Sequence, residues 1–372
     1  MSRLSGRLRI FARALPRLLL KPWRREPRTV RRVLIAHRLL LGDTLLLAPL
    51  LKKVREQYPD AVIVLTCPPA VLPLFACQPY GASALPYDPR SGASIARIVA
   101  SGPYDLAIVA GDQRYSWLAL AAGSRWIVAY RADTPAWKRW PIDALPRFPQ
   151  TPTAWADALA LLVRGAAPAR FDPAEWPMPA PAPFAPAPAS CVVLHPGASN
   201  PVKQWPAARW LALADALAAQ GWRPVWSGGP GEGGLIAQID PGGRYPSYAE
   251  RLDLVQLAAL LRGAALLVCP DTGVAHLGRL LAVPTLALFG PGSARVHGAG
   301  QFWDTMPFVA ETVDIGCRDQ PMLFESTVSW VRRCDRDLST CINRCGAGAA
   351  CMSDISEAVV KTRLDTLIDG VR

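Results

Sequence analysis

Short apolar runs recur along the chain and alternate with segments of helical periodicity. Each run has the length of a buried β-strand and is bounded by turn residues. The runs predicted as strands are 33–37, 61–66, 104–110, 126–130, 191–195, 224–227, 266–269 and 285–289. Helices are predicted at 44–57, near Ile95 and Trp117, and at 207–220, 254–262 and 274–281. Strands that alternate with helices predict parallel, doubly wound sheets and therefore an α/β fold.

One compositional break divides this alternation. Residues 173–190 are rich in Pro and Ala and nearly free of charge, which predicts an extended linker between two domains, with a long loop inside one domain as the alternative. A chain of 372 residues has ample length for two domains. The predicted parts are a basic amphipathic arm (1–31), a Rossmann-like domain (32–172), the linker (173–190), and a second Rossmann-like domain with a Cys-rich end (191–372).

The charge of the chain is concentrated at its start. The net charge is +12, yet residues 1–32 hold eleven Arg or Lys and one acid, so they carry +10 and the other 340 residues about +2. A nearly neutral body does not provide a basic groove, and we expect no nucleic acid partner.

The basic segment has an apolar stripe at helical spacing, formed by Leu4, Leu8, Phe11, Leu15 and Leu18. A basic amphipathic helix of this kind is typical of an anionic membrane surface. The alternative is a leader that is disordered or packed on the core and that its arginines merely solubilise. Pro16 should kink or end the helix, and arginines interrupt the apolar stretch, which argues against a signal peptide. Because the first strand begins only near Val33, we expect the fold to form without the arm.

The segment 269–276, Cys-Pro-Asp-Thr-Gly-Val-Ala-His, combines a strand end, a turn and a helix start. Unpaired N–H groups and the positive end of a helix suit a phosphate group. Thr272 adds a hydroxyl, and His276 lies one turn further along on the same side of the helix.

Three other turns carry polar residues that each have a structural and a functional interpretation. Asp43 follows Gly42 at a helix start and is either an N-cap or a general base. Lys203, in the loop that includes Ser199, is either a solvated lysine or a contact for a diphosphate. Glu232, after Gly228-Gly229, either binds a ribose or is a first-turn residue that the helix dipole stabilises.

The order of these motifs resembles glycosyltransferase family nine, the lipopolysaccharide heptosyltransferases and their relatives. The resemblance runs from about Arg32 to Pro291. The matching motifs are Gly42-Asp43, His195-Pro-Gly-Ala-Ser199 with Lys203-x-Trp205, Gly228-Gly-x-x-Glu232, Asp271-Thr-Gly-x-x-His276 and Leu288-Phe-Gly290-Pro291.

The resemblance implies a GT-B fold, with an acceptor-side Rossmann-like domain (32–172), a nucleotide-sugar-binding Rossmann-like domain (191–372) and a cleft between them. It implies an enzyme that transfers a sugar, typically heptose from ADP-heptose, with inversion and without a required metal. The implied partners are a nucleotide-diphosphate sugar and a glycolipid acceptor, and the implied location is the cytoplasmic face of a bacterial inner membrane, where the enzyme is peripheral. The alternatives are a non-catalytic nucleotide-sugar-binding protein and a UDP-sugar epimerase of the same fold.

The resemblance also implies roles for individual residues. Asp43 would deprotonate the acceptor hydroxyl, and Lys203 would neutralise the leaving diphosphate. The remaining donor-site positions are Ser199, Glu232 for the ribose, Asp271, Thr272 and Gly273 for phosphate oxygens, and His276. Leu39–Leu41 before the first turn and Arg279 after His276 depart from the expected pattern.

The cysteines fall into two groups. Cys67, Cys77, Cys191 and Cys269 lie in or beside apolar strands and resemble small hydrophobic residues. The C-terminal group includes Cys334, Cys341, Cys345 and Cys351, whose spacing is not C-x2-C. Some relatives of the family bind iron through cysteines, so a structural metal at these four is an alternative to reduced thiols.

Overall fold

Two structural units make up the chain, and the computed structural model describes residues 3–133 and 135–369 of them. The predicted arm and domains also include residues 1, 2, 134 and 370–372, which lie outside the described residues. The N-terminal unit is Met1–Pro179 with Met322–Trp330. The C-terminal unit is Ala180–Pro321 with Val331–Arg372.

The N-terminal unit contains a parallel five-stranded sheet in the order β3-β2-β1-β4-β5. Its strands are β1 Arg32–Ala36, β2 Val62–Cys67, β3 Ala82–Pro86, β4 Leu106–Val109 and β5 Trp126–Val128. Its helices are α1 Arg3–Leu18, α2 Leu41–Leu45, α3 Ala48–Gln57, α4 Gly92–Ala100, α5 Tyr115–Ala121 and α6 Trp155–Ala160. This strand order places the topological switch point, where ligands bind in such folds, between β1 and β4.

The C-terminal unit contains a second parallel sheet in the order β10-β9-β8-β6-β7. Its strands are β6 Cys191–Leu194, β7 Arg223–Trp226, β8 Leu266–Pro270, β9 Thr285–Phe289 and β10 Phe308–Thr312. Its helices are α7 Ala207–Ala219, α8 Gly233–Ile239, α9 Leu254–Arg262, α10 Gly273–Leu280, α11 Ala294–His297, α12 Ala350–Ser353 and α13 Glu357–Asp369. The switch point of this sheet lies between β6 and β8.

Every predicted strand is present, and the α/β prediction is confirmed. The sequence pattern missed β3 and β10, each at one edge of its sheet, and wrongly joined α2 and α3 into one helix, 44–57. Pro49 opens α3, where its fixed φ suits the first turn of a helix but its missing N–H would break a longer one.

The arm is part of the N-terminal unit. One face of α1 packs on the unit through Ile10 and Ala14, both buried in the core cluster that includes strands β1 and β4. A Cβ at Gly6 would lie 2.0 Å from the carbonyl oxygen of Pro89, so only glycine allows this close approach. The arm thus contributes side chains to the core of the unit, and the expectation that the fold forms without it stays a prediction. The helix also continues through Pro16 and ends two residues later.

The apolar stripe of α1 is divided between the core and the solvent. Phe11 and Leu18 pack against the core cluster, whereas Leu4, Leu8 and Leu15 are exposed. None of the described helices is long and apolar enough to cross a bilayer.

A short hairpin that follows β10 in the chain belongs to the N-terminal unit. It consists of Met322–Leu323 and Ser326–Thr327, joined by two residues with positive φ. Phe324 stacks on Trp155 with ring centroids 4.3 Å apart, and Glu325 forms an ion pair with Lys138.

The predicted linker 173–190 begins against the N-terminal unit, where Trp176 is buried. From residue 180 it belongs to the C-terminal unit, in which the Tyr248 hydroxyl donates to the carbonyl of Pro186 at 3.0 Å.

Candidate functional site

A cavity of about 240 Å³ opens at the carboxyl ends of β6 and β8, beside the switch point of the C-terminal unit. Three predicted donor-site residues, Ser199, Lys203 and Asp271, line it. The other lining residues are Asn200, Val202, Pro291, Gly292, Ser293, His297, Arg333, Cys334, Asp335 and Arg336. The wall is polar and carries charges of both signs.

Lys203 is held in the cavity wall by Asp271. Its Nζ donates to the Asp271 carbonyl at 2.9 Å and to the carboxylate Oδ2 at 3.0 Å. A lysine ammonium has three donors, so these two bonds leave capacity for a ligand. The Asp271 carboxylate is buried, and a Cβ at Gly292 would lie 2.3 Å from its Oδ2. Lys203 is therefore a positioned cation, and the solvated-lysine interpretation does not fit.

Thr272 caps the start of α10 without using its side chain. It is the N-cap residue in extended backbone conformation. Its Oγ1 is buried and has no hydrogen-bond partner among the described residues. An unpaired buried hydroxyl is costly, and it lies where the first N–H groups of a helix point out of the structure. This arrangement suits an anionic oxygen, as the phosphate interpretation of this turn requires.

His276 lies inside the protein, and Arg279 positions its ring. Arg279 Nη2 donates to His276 Nδ1 at 2.8 Å, and Nη1 donates to the Gly298 carbonyl at 2.6 Å. The guanidinium also lies over the rings of Trp303 and Phe308. Burial, and secondarily the Arg279 charge, lower the pKa of His276 well below its usual 6.5. Arg279, which departs from the expected family pattern, therefore holds the neutral His276 ring in place inside the protein. His276 itself does not line the cavity.

Glu232 lies between the loops that follow β6 and β7, outside the residues that line the cavity. Its Oε2 accepts from the Gly229 N–H at 2.6 Å and lies 3.9 Å from His195 Nε2. Its carboxylate fits only because position 197 is glycine, where a Cβ would lie 1.9 Å from Oε2. Burial lowers the pKa of His195 to about 4, and its Nδ1 is paired with the Ser227 hydroxyl at 2.9 Å.

Three cavity residues had no signal in the sequence. His297 ends the short helix α11, and burial lowers its pKa to about 4. Arg333 and Arg336 come from the segment after the hairpin, where Arg336 donates to both carboxylate oxygens of Asp319 at 2.8 and 2.9 Å. Arg333 and Arg336 belong to an irregular segment more than 60 residues after β8, and no local sequence pattern predicts that this segment lies beside β8.

Asp43 lies at the switch point of the N-terminal sheet. It is in the first turn of α2, but the N-cap residue is Leu40, so the N-cap interpretation of Asp43 is wrong. His37 braces this turn, with Nε2 3.0 Å from the Thr44 hydroxyl and Nδ1 3.4 Å from the Ala110 carbonyl. Burial lowers the pKa of His37 to about 4, so the brace is a neutral imidazole.

The four candidate metal ligands differ in their surroundings. Cys345 is exposed, Cys351 is buried, and Cys334 and Cys341 lie between these extremes. Within the part of the chain that the structure describes, no group of three or more His, Cys, Asp or Glu side chains is arranged to hold a metal ion. The four-cysteine alternative therefore stays a prediction.

Known proteins resemble the segment that carries this site. Residues 168–301 match the family model of Glycosyltransferase family 9 (heptosyltransferase). Lipopolysaccharide heptosyltransferase 1 of Pseudomonas aeruginosa is 38% identical over 110 residues, which cover 29% of this chain and 30% of that protein. The match thus spans less than a third of that relative's length.

Solved structures resemble nearly the whole chain in fold. A family 9 glycosyltransferase of Veillonella parvula has a TM-score of 0.67 at 17% identity and covers 93% of this chain and 99% of that chain. The ADP-heptose lipopolysaccharide heptosyltransferase II of E. coli has a TM-score of 0.66 at 16% identity, with coverages of 91% and 98%. At these identities the likeness establishes the fold alone, which is the predicted GT-B fold with two α/β domains. The resemblance that the motif order predicts is thereby confirmed for residues 168–301, which are similar to glycosyltransferase family nine, the lipopolysaccharide heptosyltransferase family.

Proposed function

We propose that this protein is an inverting glycosyltransferase that moves heptose from ADP-heptose to a lipopolysaccharide-type glycolipid. The observation that carries the proposal is the group at the carboxyl end of β8, where Lys203, Asp271 and the buried Thr272 hydroxyl meet the start of α10. It lies inside the segment that matches the family. The name of the E. coli heptosyltransferase II supports ADP-heptose as the donor.

The group at β8 has the chemistry that a leaving diphosphate needs. When the bond between the anomeric carbon and the diphosphate oxygen breaks, its electron pair stays on the diphosphate. Lys203 supplies a full positive charge, and the start of α10 supplies N–H donors and a partial positive charge. Thr272 supplies a hydroxyl donor. We propose that these groups stabilise the departing charge and that transfer requires no metal.

Asp43 is the proposed general base. The acceptor hydroxyl oxygen forms the new bond to the anomeric carbon on the side opposite the diphosphate, and its proton passes to the carboxylate. The position of Asp43 supports this role. It lies at the start of α2 and at a switch point, where parallel sheets present residues to ligands.

The experiment has a binding arm and a transfer arm. Thermal unfolding is followed with ADP, UDP and GDP at equal concentrations, and ADP is expected to raise the midpoint most because it binds the folded state. ADP-heptose is then supplied with a heptose-free lipopolysaccharide acceptor, and ADP release and the mass of the product are measured. The Asp43→Asn variant should retain the ADP shift and lose roughly 10²–10⁴-fold in kcat. Asp60→Asn, an exposed aspartate of the same unit, is the matched control.

Other outcomes identify the competing functions. A midpoint shift with ADP but no product would favour a non-catalytic binding protein. A larger shift with UDP, together with epimerisation of a UDP-sugar without acceptor, would favour an epimerase. Near wild-type kcat in Asp43→Asn would remove Asp43 from the mechanism.

A further inference from the structure

The cavity at the carboxyl ends of β6 and β8 has an arginine in its wall that the family segment does not supply. Arg333 lines this cavity together with Lys203. Lys203 lies within residues 168–301, which match the family model, and Arg333 lies beyond them. A guanidinium has five N–H donors in a planar fork that matches two phosphate oxygens, whereas a lysine ammonium is a point charge. Arg333 therefore offers a contact that Lys203 cannot replace.

Hydrogen bonds on both sides hold the backbone around Arg333. Its carbonyl accepts from the Gln320 N–H at 3.1 Å, and the N–H of the next residue, Cys334, donates to the Pro291 carbonyl at 2.8 Å. Pro291 itself lines the cavity. The backbone at Arg333 is thus tied to the loop that follows β9, and the side chain reaches the cavity from an anchored segment.

Arg336 supports this segment, and its own charge is already matched. Its guanidinium donates to both carboxylate oxygens of Asp319 and to the Cys317 carbonyl at 3.2 Å. Asp319 and Cys317 lie outside the residues that line the cavity. Arg336 therefore braces the segment, and Arg333 is the better placed of the two arginines to contact a ligand.

The charge of Lys203 is strongly opposed within the protein, and that of Arg333 is opposed less. The Asp271 side chain, which pairs with Lys203, is only 8% exposed, so its carboxylate acts on the lysine with little screening by solvent. Arg333 is paired with Asp335 at 2.7 Å, but the Asp335 side chain is 75% exposed. Water and salt screen an exposed carboxylate, so more of the Arg333 charge remains effective in the cavity.

The ring of His297 lies within the field of both cations. His297 lines the same cavity. Burial is the main cause of its lowered pKa, and the charges of Lys203 and Arg333 lower that pKa further, against an opposing effect of Asp271. Both cations therefore act on one part of the cavity wall, where a bound anion would meet the two charges together.

We propose that Arg333 is a second cation for the leaving nucleoside diphosphate and binds its phosphate oxygens together with Lys203. The inference rests on the proposed function, which puts a diphosphate at the start of α10. When the bond to the anomeric carbon breaks, the electron pair passes to the diphosphate. The two cations and the N–H groups of α10 then share the added negative charge.

The test measures binding of ADP and of inorganic pyrophosphate to the full chain by isothermal titration. Pyrophosphate probes the phosphate contacts without a base or a sugar. Arg333→Met removes the charge and keeps most of the side-chain length, and it should weaken both ligands about 10- to 100-fold, as the loss of a charged hydrogen bond does. Arg333→Lys keeps the charge but loses the planar fork, and it should recover part of the affinity.

Two further variants separate ligand binding from a structural role. Asp335→Asn breaks the ion pair with Arg333 but removes a negative charge from the wall, so ADP should bind equally well or up to about five-fold more tightly. Arg332→Met removes the neighbouring exposed arginine, which lies outside the lining residues, and should change the affinity less than about two-fold. Circular dichroism and the thermal midpoint establish that every variant is folded.

The outcomes distinguish this inference from the proposed function. Unchanged affinity of folded Arg333→Met for both ligands would overturn the inference and leave the proposed function standing. Equal weakening by Arg333→Met and Asp335→Asn would also overturn it, because the ion pair would then act only as a structural unit. If binding depends on Arg333 but no heptose is transferred, the inference stands and the proposed function fails. An unmodified protein that binds neither ADP nor pyrophosphate would contradict both.

Discussion

At the scale of single residues, the ion pair of Lys203 and Asp271 is the most consequential contact of the site. The lysine side chain is 27% exposed and the aspartate side chain 8% exposed. A partly buried pair stabilises little by itself, but removing one partner leaves the other charge without compensation. Lys203 therefore compensates the charge of the Asp271 carboxylate and also supplies positive charge to the proposed diphosphate.

Lys203→Ala is expected to weaken ADP binding about 10- to 100-fold and to lower turnover with it, because a charged hydrogen bond to the ligand is lost. Isothermal titration with ADP measures the first effect and ADP release the second. EDTA should leave the unmodified enzyme active. Lys361→Ala, a lysine of α13, is the control. Strict dependence on added Mg²⁺, or unchanged ADP affinity in Lys203→Ala, would contradict the assignment.

At the scale of elements, α1 is fixed by small residues on one face. Gly6 and Ala14 allow the helix to approach the loop at Pro89 and the helix α5, and Ile10 fills the space between them. Arg17 adds a hydrogen bond to the Ala121 carbonyl at 3.1 Å. This packing turns a basic amphipathic segment into a stable part of the N-terminal unit.

Gly6→Val should lower the free energy of unfolding by roughly 1–3 kcal/mol, because the added side chain collides with the Pro89 carbonyl and forces the helix outward. Ala12→Val makes a comparable change on the exposed side of the same helix and should cost less than about 1 kcal/mol. Urea unfolding measures both variants. Equal stability of the two would mean that α1 does not pack on the unit in solution.

At the scale of the whole molecule, burial affects all four histidines in the same direction. Burial lowers the pKa values of His37, His195 and His297 to about 4 and that of His276 well below 6.5. Each is favoured as a neutral ring in the folded state. Because the unfolded chain binds these protons more tightly, unfolding takes up protons between pH 6.5 and about 4.

The stability supplied by the neutral histidines is therefore complete above about pH 6.5 and is lost as the pH falls towards 4. Between about pH 7 and pH 5 we expect a loss of roughly 2 kcal/mol for each histidine. Urea unfolding at the two pH values measures the change, and His37→Gln should reduce it by that amount. An identical pH dependence in the variant and the unmodified protein would show that His37 does not contribute.

The sequence by itself determined the elements, because local patterns of apolar and polar residues report burial directly. The runs at 191–195, 266–269 and 285–289 became strands in one sheet. The order of motifs also identified the family segment and placed Lys203 and Asp271 in one site. The sequence pattern missed strands β3 and β10. Most of their residues are only half-buried at the edge of a sheet, so they form no continuous apolar run.

Only the tertiary structure decided which residues meet across long separations in the chain. Arg333 and His297 reach the cavity, and the hairpin with Phe324 joins the N-terminal unit, through folding contacts that no local pattern encodes. The same holds for α1, whose periodicity predicted an amphipathic helix on an anionic membrane surface, with a core-packed leader only as the alternative. Nothing in the sequence marked Gly6 for its close approach to Pro89 or Ile10 for burial in the core cluster. Amphipathic periodicity states that a face is buried, but not what covers it, and the covering surface exists only in the folded protein.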